Sequence, residues 1–313
     1  YCDEKDISNI KKKFQLGCKI AVMAKIGTFK LTDFVLKKNS DINMIRLLIS
    51  SVYKENNVIK DGILEKNIID CKKIALEMIN MGYEVCINIP GAQSLNNKEI
   101  KIICKHYHDL NIECLYIADT FGTFDDVIVT KQISKIYREL NKYNSKLKIG
   151  FHSHNNNNDS VSKTLKAIDL GCNFIDSTIN GLGRGAGNLP SELIILELNK
   201  KKNFHLKILP ILKYIDNNIR SIKEYKKNKL IFGYHPLYSL SGFLNMHPNY
   251  ITEIIEKYDF LKIDEIYNLI IKIYNYNNSN SKNKYNNKLI DDLIIKIHND
   301  NNSNSKINII NKY

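Results

Sequence analysis

The chain is organised around one short stretch of sequence, Lys148-Ile149-Gly150-Phe151-His152-Ser153-His154-Asn155. An apolar run ends there in two histidines two residues apart, and on a β-strand such positions point to the same face. Both imidazoles therefore converge at the carboxyl end of a predicted strand, which suits one divalent cation bound by neutral imidazoles. Two unconnected surface histidines are the alternative reading, and an isolated His-x-His pair favours it.

A helix and a second strand follow the histidine strand. The helical spacing of Val161, Leu165 and Ile168 ends at Gly171, and an apolar run occupies 174–179. A glycine-rich turn comes next, Asn180-Gly181-Leu182-Gly183-Arg184-Gly185-Ala186-Gly187-Asn188. Strand, helix, strand and glycine turn form a βαβ unit whose ligand-facing ends lie on one side.

Strands and helices alternate through most of the chain at roughly 30-residue spacing, which is typical of a parallel α/β architecture. Six strands are predicted, at 18–25, 44–50, 84–89, 114–119, 148–154 and 174–179. A helix is predicted over 65–81, with Gly82 just past its end. Six strand–helix units satisfy an open doubly wound sheet, whereas a closed (β/α)8 barrel requires eight.

The pattern changes after Asn203, which predicts an α/β domain at 1–200 and a mainly helical C-terminal region at 201–313. Further helices are predicted near 208–215, 251–258, 266–274 and 289–298, and a loop-rich stretch at 233–249. The Asn/Ser/Lys tracts at 275–287 and 299–305 cannot support a core and predict linkers.

Composition excludes several classes of function. The net charge of +13 comes mainly from Lys, and no basic stripe interleaved with aromatic residues is present, so no nucleic-acid partner is expected. The seven cysteines are scattered without a Cys-x-x-Cys motif, which indicates neither a disulfide framework nor a thiolate zinc site. No apolar run reaches the roughly 18 residues of a membrane helix. A cytoplasmic protein with no membrane partner is therefore expected.

Three segments together carry a resemblance to a known family: 118–122 (Ala-Asp-Thr-Phe-Gly), 150–156 (Gly-Phe-His-Ser-His-Asn-Asn) and 181–188 (Gly-Leu-Gly-Arg-Gly-Ala-Gly-Asn). In order and spacing they resemble the HMG-CoA-lyase-like, or pyruvate carboxyltransferase-domain, family of metal-dependent TIM-barrel enzymes. The stretch 241–248 is similar to the segment that follows the barrel in aldolase-like members. The resemblance runs from about residue 15 to 255 and implies a (β/α)8 catalytic barrel followed by helices.

Within that family the chain most resembles 4-hydroxy-2-oxovalerate aldolase-like members. Its glycine turn lacks the Cys found in HMG-CoA lyases and the Gly-Glu-Arg-Ala-Gly-Asn motif of isopropylmalate synthases. The resemblance also implies an Arg-Asp pair on the first barrel strand, but 18–25 aligns with the third strand and no Leu-Arg-Asp-Gly segment precedes it. We therefore expect a barrel without its first two strands, and we expect little activity from this sequence alone.

The resemblance implies a metal site and a substrate. The metal would be Mn²⁺ or Mg²⁺, and it would act as a Lewis acid toward a 2-oxo acid. His152 and His154 would be two ligands and Asn188 a further one. Asn188 has an alternative role as the N-cap of a helix before Ser191.

Arg46 and Asp119 are the expected catalytic residues. Arg46 lies within an apolar run, where a charge needs a partner, and it would bind a substrate carboxylate or pair with Asp119. Asp119 and Thr120, at the end of a predicted strand, would orient the substrate or metal-bound waters. A loop cap is the alternative for Asp119.

Substrate contacts are expected from three further residues. The backbone N–H groups of Gly183 and Gly185 would hold an anionic group, and Tyr238 would touch the substrate. The leading hypothesis is an aldolase-type lyase acting on a small-molecule 2-oxo acid, either as a homo-oligomer or with an aldehyde dehydrogenase partner. A Claisen-type acyltransferase of the isopropylmalate synthase kind and a catalytically inactive fragment or pseudo-enzyme remain as alternatives.

Overall fold

A computed structural model describes residues 3–13, 17–49, 63–219, 236–244, 246–258, 261, 263–279, 290 and 292. Six parallel strands form one sheet: β1 (Ala21–Lys25), β2 (Met44–Leu48), β3 (Glu84–Ile89), β4 (Cys114–Asp119), β5 (Ile149–Ser153) and β6 (Phe174–Asp176). The strands lie side by side in chain order, as predicted. An open doubly wound sheet reverses its strand order partway, so that alternative is wrong. The sheet is an open half-barrel, with six of the eight strands of a (β/α)8 barrel.

From β2 onward α-helices follow the strands, whereas two short 3-10 turns lie between β1 and β2. Before the first strand lies α1 (Glu4–Lys11), and after it come α2 (Ile63–Asn80), α3 (Asn97–Tyr107), α4 (Asp126–Asn141), α5 (Ser160–Asp169) and α6 (Ser191–Lys202). The side chains of Asn96 and Glu99 form a reciprocal capping box at the start of α3, and Asp125 accepts from Ile128 N to cap α4. Gly82, with φ of +93°, follows α2 in the predicted position.

The main core lies between the sheet and its helices. Alternate strand residues, among them Ile45, Val85 and Ile117, are almost fully buried against α2 to α5. The strand positions between them face the concave side of the sheet. That inner face carries a small cluster around Cys86, Cys114 and Tyr116, together with polar side chains such as Arg46.

The helix α7 (Leu209–Tyr214) follows α6 and contacts it. A second apolar cluster holds the helices α8 (Pro236–Phe243), α9 (Asn249–Lys257) and α10 (Ile263–Ser279). Pro210 occupies the first turn of α7, as expected. The prediction of a loop-rich stretch at 233–249 is wrong for 236–243, where Leu237 and Tyr238 are buried and stabilise a helix.

The boundary of the next predicted linker also differs. Helix α10 continues to Ser279, beyond the predicted start of a linker at 275, because Ile273 and Leu269 anchor it in the second cluster. Of the helix predicted at 289–298, only residues 290 and 292 are described. The tract at 299–305 lies outside the described residues. Across the described parts of the chain, the longest helices are too short or too polar to span a bilayer.

Candidate metal and substrate site

Strand register decides which polar residues share the concave face. His152 is the register partner of Ala118 on β4 and of Asp176 on β6, and Gly150 pairs with Tyr116. Parallel partners in register point to the same side of a sheet. The inner face therefore carries His152 and Asp176 side by side near its carboxyl edge.

The two histidines lie together, as their spacing predicts. The ring centroids of His152 and His154 are 5.1 Å apart and the rings are nearly perpendicular, at 84°. Both imidazoles are on one face of the sheet, so the geometric requirement for a shared cation is met. Their assignment as metal ligands stays a prediction.

Each ring is anchored through its Nδ1 atom. His152 Nδ1 lies 2.8 Å from Asp176 Oδ2, and His154 Nδ1 lies 3.3 Å from the carbonyl oxygen of Gly187. Both partners accept hydrogen bonds, which favours a proton on each Nδ1 and leaves each Nε2 with a lone pair. Burial lowers the pKa of His154 far below its usual range, and the neighbouring His152 and Arg184 lower it further, so this ring is neutral.

Asn188 lies beside His154 and offers an oxygen. The two residues form a backbone bridge, and Asn188 Nδ2 donates to the Leu182 carbonyl at 3.1 Å. The Oδ1 atom is buried without a hydrogen-bond partner, which is the kind of unpaired acceptor that a cation or a substrate donor would satisfy. The N-cap alternative for Asn188 is wrong, because Pro190 occupies that position before α6.

These donors fit a divalent cation only in part. Two imidazole nitrogens and an amide oxygen are suitable ligands, yet within the described ranges no three residues among His, Cys, Asp and Glu cluster in a way that could hold a metal. Hard cations such as Mn²⁺ and Mg²⁺ prefer carboxylate oxygen. The residues described here therefore supply one side of a coordination shell without an anionic ligand.

Arg46 has different partners from those expected. Its Nη2 atom lies 2.6 Å from Asp176 Oδ2 and donates to Asn88 Oδ1 at 2.6 Å, and the guanidinium lies 3.6 Å above the centre of the Tyr116 ring. The predicted alternative of an Arg46–Asp119 pair is wrong, since the two side chains point to opposite faces of the sheet. Arg46 Nε is buried without a hydrogen-bond partner and remains available as a donor.

Asp119 lies behind the site. It follows Ala118, the register partner of His152, and so points toward the helices. Its side chain is fully buried, 2.7 Å from Lys163 Nζ on α5, and its Oδ1 accepts from the backbone N–H groups of Thr123 and Phe124. The loop-cap alternative is confirmed, and Asp119 lies at the carboxyl edge of the sheet but faces Lys163 instead of the histidines.

The buried Lys163 has two carboxylate partners. Asp159 Oδ1 lies 2.8 Å from its Nζ and Asp119 Oδ2 lies 2.7 Å from it. Burial alone would lower the pKa of Lys163, but the negative charge of Asp119 and Asp159 outweighs it and raises the pKa. Lys163 is therefore charged, and it joins the end of β4 to the start of α5.

Thr120 joins two loops at the edge of the site. Its hydroxyl accepts from the Gly91 N–H at 2.8 Å, and its carbonyl accepts from Arg184 Nη2 at 3.1 Å. Arg184 belongs to the glycine turn and also donates to Asn249 Oδ1 on α9. These contacts hold the turn against the neighbouring loop, and the hydroxyl predicted to touch the substrate is used within the protein.

The glycine turn is covered by side chains of the protein itself. A Cβ at Gly185 would lie 2.9 Å from the ring of Tyr238, and a Cβ at Gly183 would lie 2.4 Å from Asn188 Nδ2. Tyr238 is 3% exposed, and its hydroxyl pairs with Thr252 Oγ1 at 2.9 Å. The expected substrate contact by Tyr238 is therefore wrong: this ring packs α8 against the turn.

Two residues of the site were not singled out from the sequence. Asp176 lies inside a predicted strand, two residues after Phe174, and an acidic residue in an apolar run is itself a signal of a buried partner. Lys163 lies on the predicted helix after the histidines, where a lysine is ordinarily solvent-exposed. Only the packing of α5 against β4 shows that it is buried.

The fold and the site together define an α/β half-barrel of the (β/α)8 kind, with polar groups gathered at the carboxyl ends of its strands. The chain belongs to the HMGL-like family, whose sequence profile matches residues 50–223.

Curated relatives are matched over part of their length. The chain is 32% identical to an oxaloacetate decarboxylase of Mycobacterium tuberculosis over 120 residues, 38% of this chain and 34% of that protein. It is 24% identical to a 4-hydroxy-2-oxovalerate aldolase of Pseudoalteromonas translucida over 228 residues, 70% of this chain and 63% of the relative. The chain is 29% identical to the 4-hydroxy-2-oxovalerate aldolase of Bacillus thuringiensis over 164 residues, which cover 51% of this chain and 47% of that protein. The chain thus spans less than two thirds of each of these relatives.

Solved structures support the fold. The N-terminal domain of a candidate aldolase from Bacteroides vulgatus aligns with a TM-score of 0.61 at 22% identity, covering 81% of this chain and 77% of that domain. The HMG-CoA lyase of Bacillus subtilis aligns with a TM-score of 0.52 at 14% identity, and the alignment covers 69% of this chain and 76% of the lyase. At these identities the similarity concerns the fold alone.

Proposed function

We propose that this chain carries the histidine side of an aldolase-type lyase site for a small 2-oxo acid, with Mn²⁺ or Mg²⁺ as cofactor. The observation that carries the proposal is the arrangement of His152, His154 and Asn188. Two imidazoles on one face, each anchored at Nδ1, stand beside an amide oxygen that lacks a partner. Such a set offers a cation two imidazole nitrogens and an amide oxygen.

The names of the relatives narrow the substrate class. The compounds in those names, oxaloacetate and 4-hydroxy-2-oxovalerate, are both 2-oxo acids that yield pyruvate when their C3–C4 bond is broken. We infer the same class for this chain: a 2-oxo acid whose C3–C4 cleavage yields pyruvate.

Each residue has a proposed task. A divalent cation, when bound, supplies Lewis-acid stabilisation of the negative charge that develops on the 2-oxo group. His152 Nε2, His154 Nε2 and Asn188 Oδ1 would hold it. Arg46 places a positive charge on the inner face and keeps a buried Nε donor for the substrate carboxylate. Asp119 and Thr120 hold the loop at the carboxyl end of β4 and do not reach the substrate.

The glycine turn keeps Asn188 next to His154. Gly183 and Gly185 allow close packing on both of its sides, from Asn188 and from Tyr238. We propose that these glycines act through this packing, and that the helices of the 201–313 region brace the site through Tyr238.

Metal binding is the first test, measured by calorimetric titration with Mn²⁺. Without a carboxylate ligand among the described residues we expect weak binding by the wild-type chain, and no binding by His152→Ala/His154→Ala. His205→Ala is the matched control, because His205 is exposed and far along the chain from the site. Equal affinity of the wild type and the double variant would remove these histidines from the site.

Turnover is the second test, measured as pyruvate release from 4-hydroxy-2-oxovalerate and from oxaloacetate with Mn²⁺ present. We expect little pyruvate release from the wild type and from His205→Ala, because the described residues lack an anionic metal ligand, and none above the protein-free background from the double variant. Consumption of an acyl thioester with release of free thiol, and no pyruvate release, would favour the acyltransferase alternative. Metal binding without any turnover would favour the inactive fragment or pseudo-enzyme.

A further inference from the structure

One carboxylate oxygen joins three strands of the half-barrel. Asp176 Oδ2, on β6, lies 2.8 Å from His152 Nδ1 on β5 and 2.6 Å from Arg46 Nη2 on β2. Arg46 reaches it across the concave face, passing over the ring of Tyr116. The contact thus spans the inner face from one side of the sheet to the other.

The two partners of Asp176 depend on it to different extents. Arg46 is also held by Asn88 Oδ1 and by the Tyr116 ring. The ring of His152 is held, within the described part of the chain, by its hydrogen bond to Asp176. Loss of the carboxylate would therefore leave Arg46 supported and His152 free to rotate or to change tautomer.

Asp176 is an ionised acceptor. Its Oδ2 atom lies 2.6 Å from Nη2 of Arg46, a permanently charged guanidinium, which favours the carboxylate form. A carboxylate can only accept, so His152 must present a proton at Nδ1. Arg46 in turn restricts the rotation of the Asp176 side chain, since both donors meet at the same oxygen.

We propose that Asp176 is a positioning residue, which fixes the Nδ1–H tautomer and the ring plane of His152 so that Nε2 faces the open site, with Arg46 holding Asp176 in place. The consequence for catalysis rests on the proposed function. The tautomer and the orientation of the His152 ring are independent of the proposed function, because they follow from contacts within this chain.

The direct test is nitrogen NMR of histidine-labelled protein without metal, at a pH above the ordinary titration range of imidazole. Each ring nitrogen has a distinct chemical shift with and without its proton, and His152→Ala identifies the signals. We expect the wild type to show a protonated Nδ1 and a bare Nε2 at His152. A wild-type ring with its proton on Nε2 would overturn the proposal without any need for a variant at Asp176.

The variant Asp176→Ala should change only one of the two histidines. We expect its His152 signals to shift toward a mixture of tautomers, while the His154 signals stay as in the wild type because Gly187 still holds that ring. The unchanged His154 signals also report that the fold is retained. Asn88→Ala is the matched control: it removes another partner of Arg46 and should leave the His152 tautomer unchanged. An unchanged His152 tautomer in Asp176→Ala would refute the positioning role.

Function provides a separate readout. If the histidines bind Mn²⁺, Asp176→Ala should weaken that affinity about 10- to 100-fold, the usual range for loss of a residue that orients a ligating histidine. The two proposals can fail separately. If Asp176→Ala changes the His152 tautomer but even the wild type binds no metal, the positioning role is upheld and the proposed function is rejected. If the wild type binds Mn²⁺ and Asp176→Ala binds it equally well, the proposed effect of Asp176 on metal binding is overturned.

Discussion

Replacing Lys163 by Met tests the buried charge cluster behind the site. Lys163 is fully buried, with its Nζ at 2.7 Å from Asp119 and 2.8 Å from Asp159. The substitution keeps most of the volume of the side chain but leaves the Asp119 carboxylate buried without its cation. Removing one partner of such a pair costs about 3–5 kcal/mol. We expect the lower end, because Asp119 keeps two backbone donors and Asp159 is partly exposed.

Urea unfolding measures this cost through the change in midpoint at constant m-value. Lys166→Met, three residues further along the same helix and only half-buried, is the matched control, and its effect should stay within about 0.5 kcal/mol. Combining Lys163→Met with Asp119→Asn removes both charges, so the double variant should be less destabilised than the sum of the single variants. A loss below about 1 kcal/mol in Lys163→Met would refute the reasoning, since a buried carboxylate left unpaired cannot cost so little.

Two further predictions concern packing and pH. Gly150→Ala places a Cβ 2.6 Å from the Tyr116 ring and should lower the free energy of unfolding by about 1–3 kcal/mol in chemical denaturation. The loss should be smaller in a Tyr116→Leu background. Equal losses in both backgrounds would contradict a clash with the Tyr116 ring. Burial lowers the pKa of His247 to about 3, so the unfolded chain takes up a proton below about pH 6.5 that the folded chain refuses. Stability should therefore fall as the pH drops from about 6.5 toward 3, by about 2 kcal/mol at pH 5 from this residue, and His247→Gln should flatten the slope of stability against pH. An unchanged slope in His247→Gln would show that His247 is protonated in the fold.

Much of the fold follows from local sequence. β3 and β4 begin and end where their apolar runs do, and α3 and α4 begin at side chains that cap them. Strand order follows too, because parallel strands joined by helices are ordinarily neighbours. The i, i+2 spacing of His152 and His154 was enough to place both rings on one face. These features depend on residues close together in the chain, which is why the sequence alone determines them.

Other features were decided only in three dimensions. The sequence places Asp119 at the end of a strand near the histidines, but the register of β4 with β5 turns it toward α5 and Lys163. The partner of Arg46 is Asp176, 130 residues later, because curvature of the sheet brings the inner faces of β2 and β6 together.

The position of Tyr238 is another feature that the sequence alone does not determine. Its place in the second apolar cluster depends on how α8 packs against the glycine turn. Alternation along a strand predicts that a side chain points to one face or the other, but not which face is the inner one. That choice depends on the curvature of the sheet and on which charges are left to pair after the apolar residues are buried, and both are properties of the assembled fold.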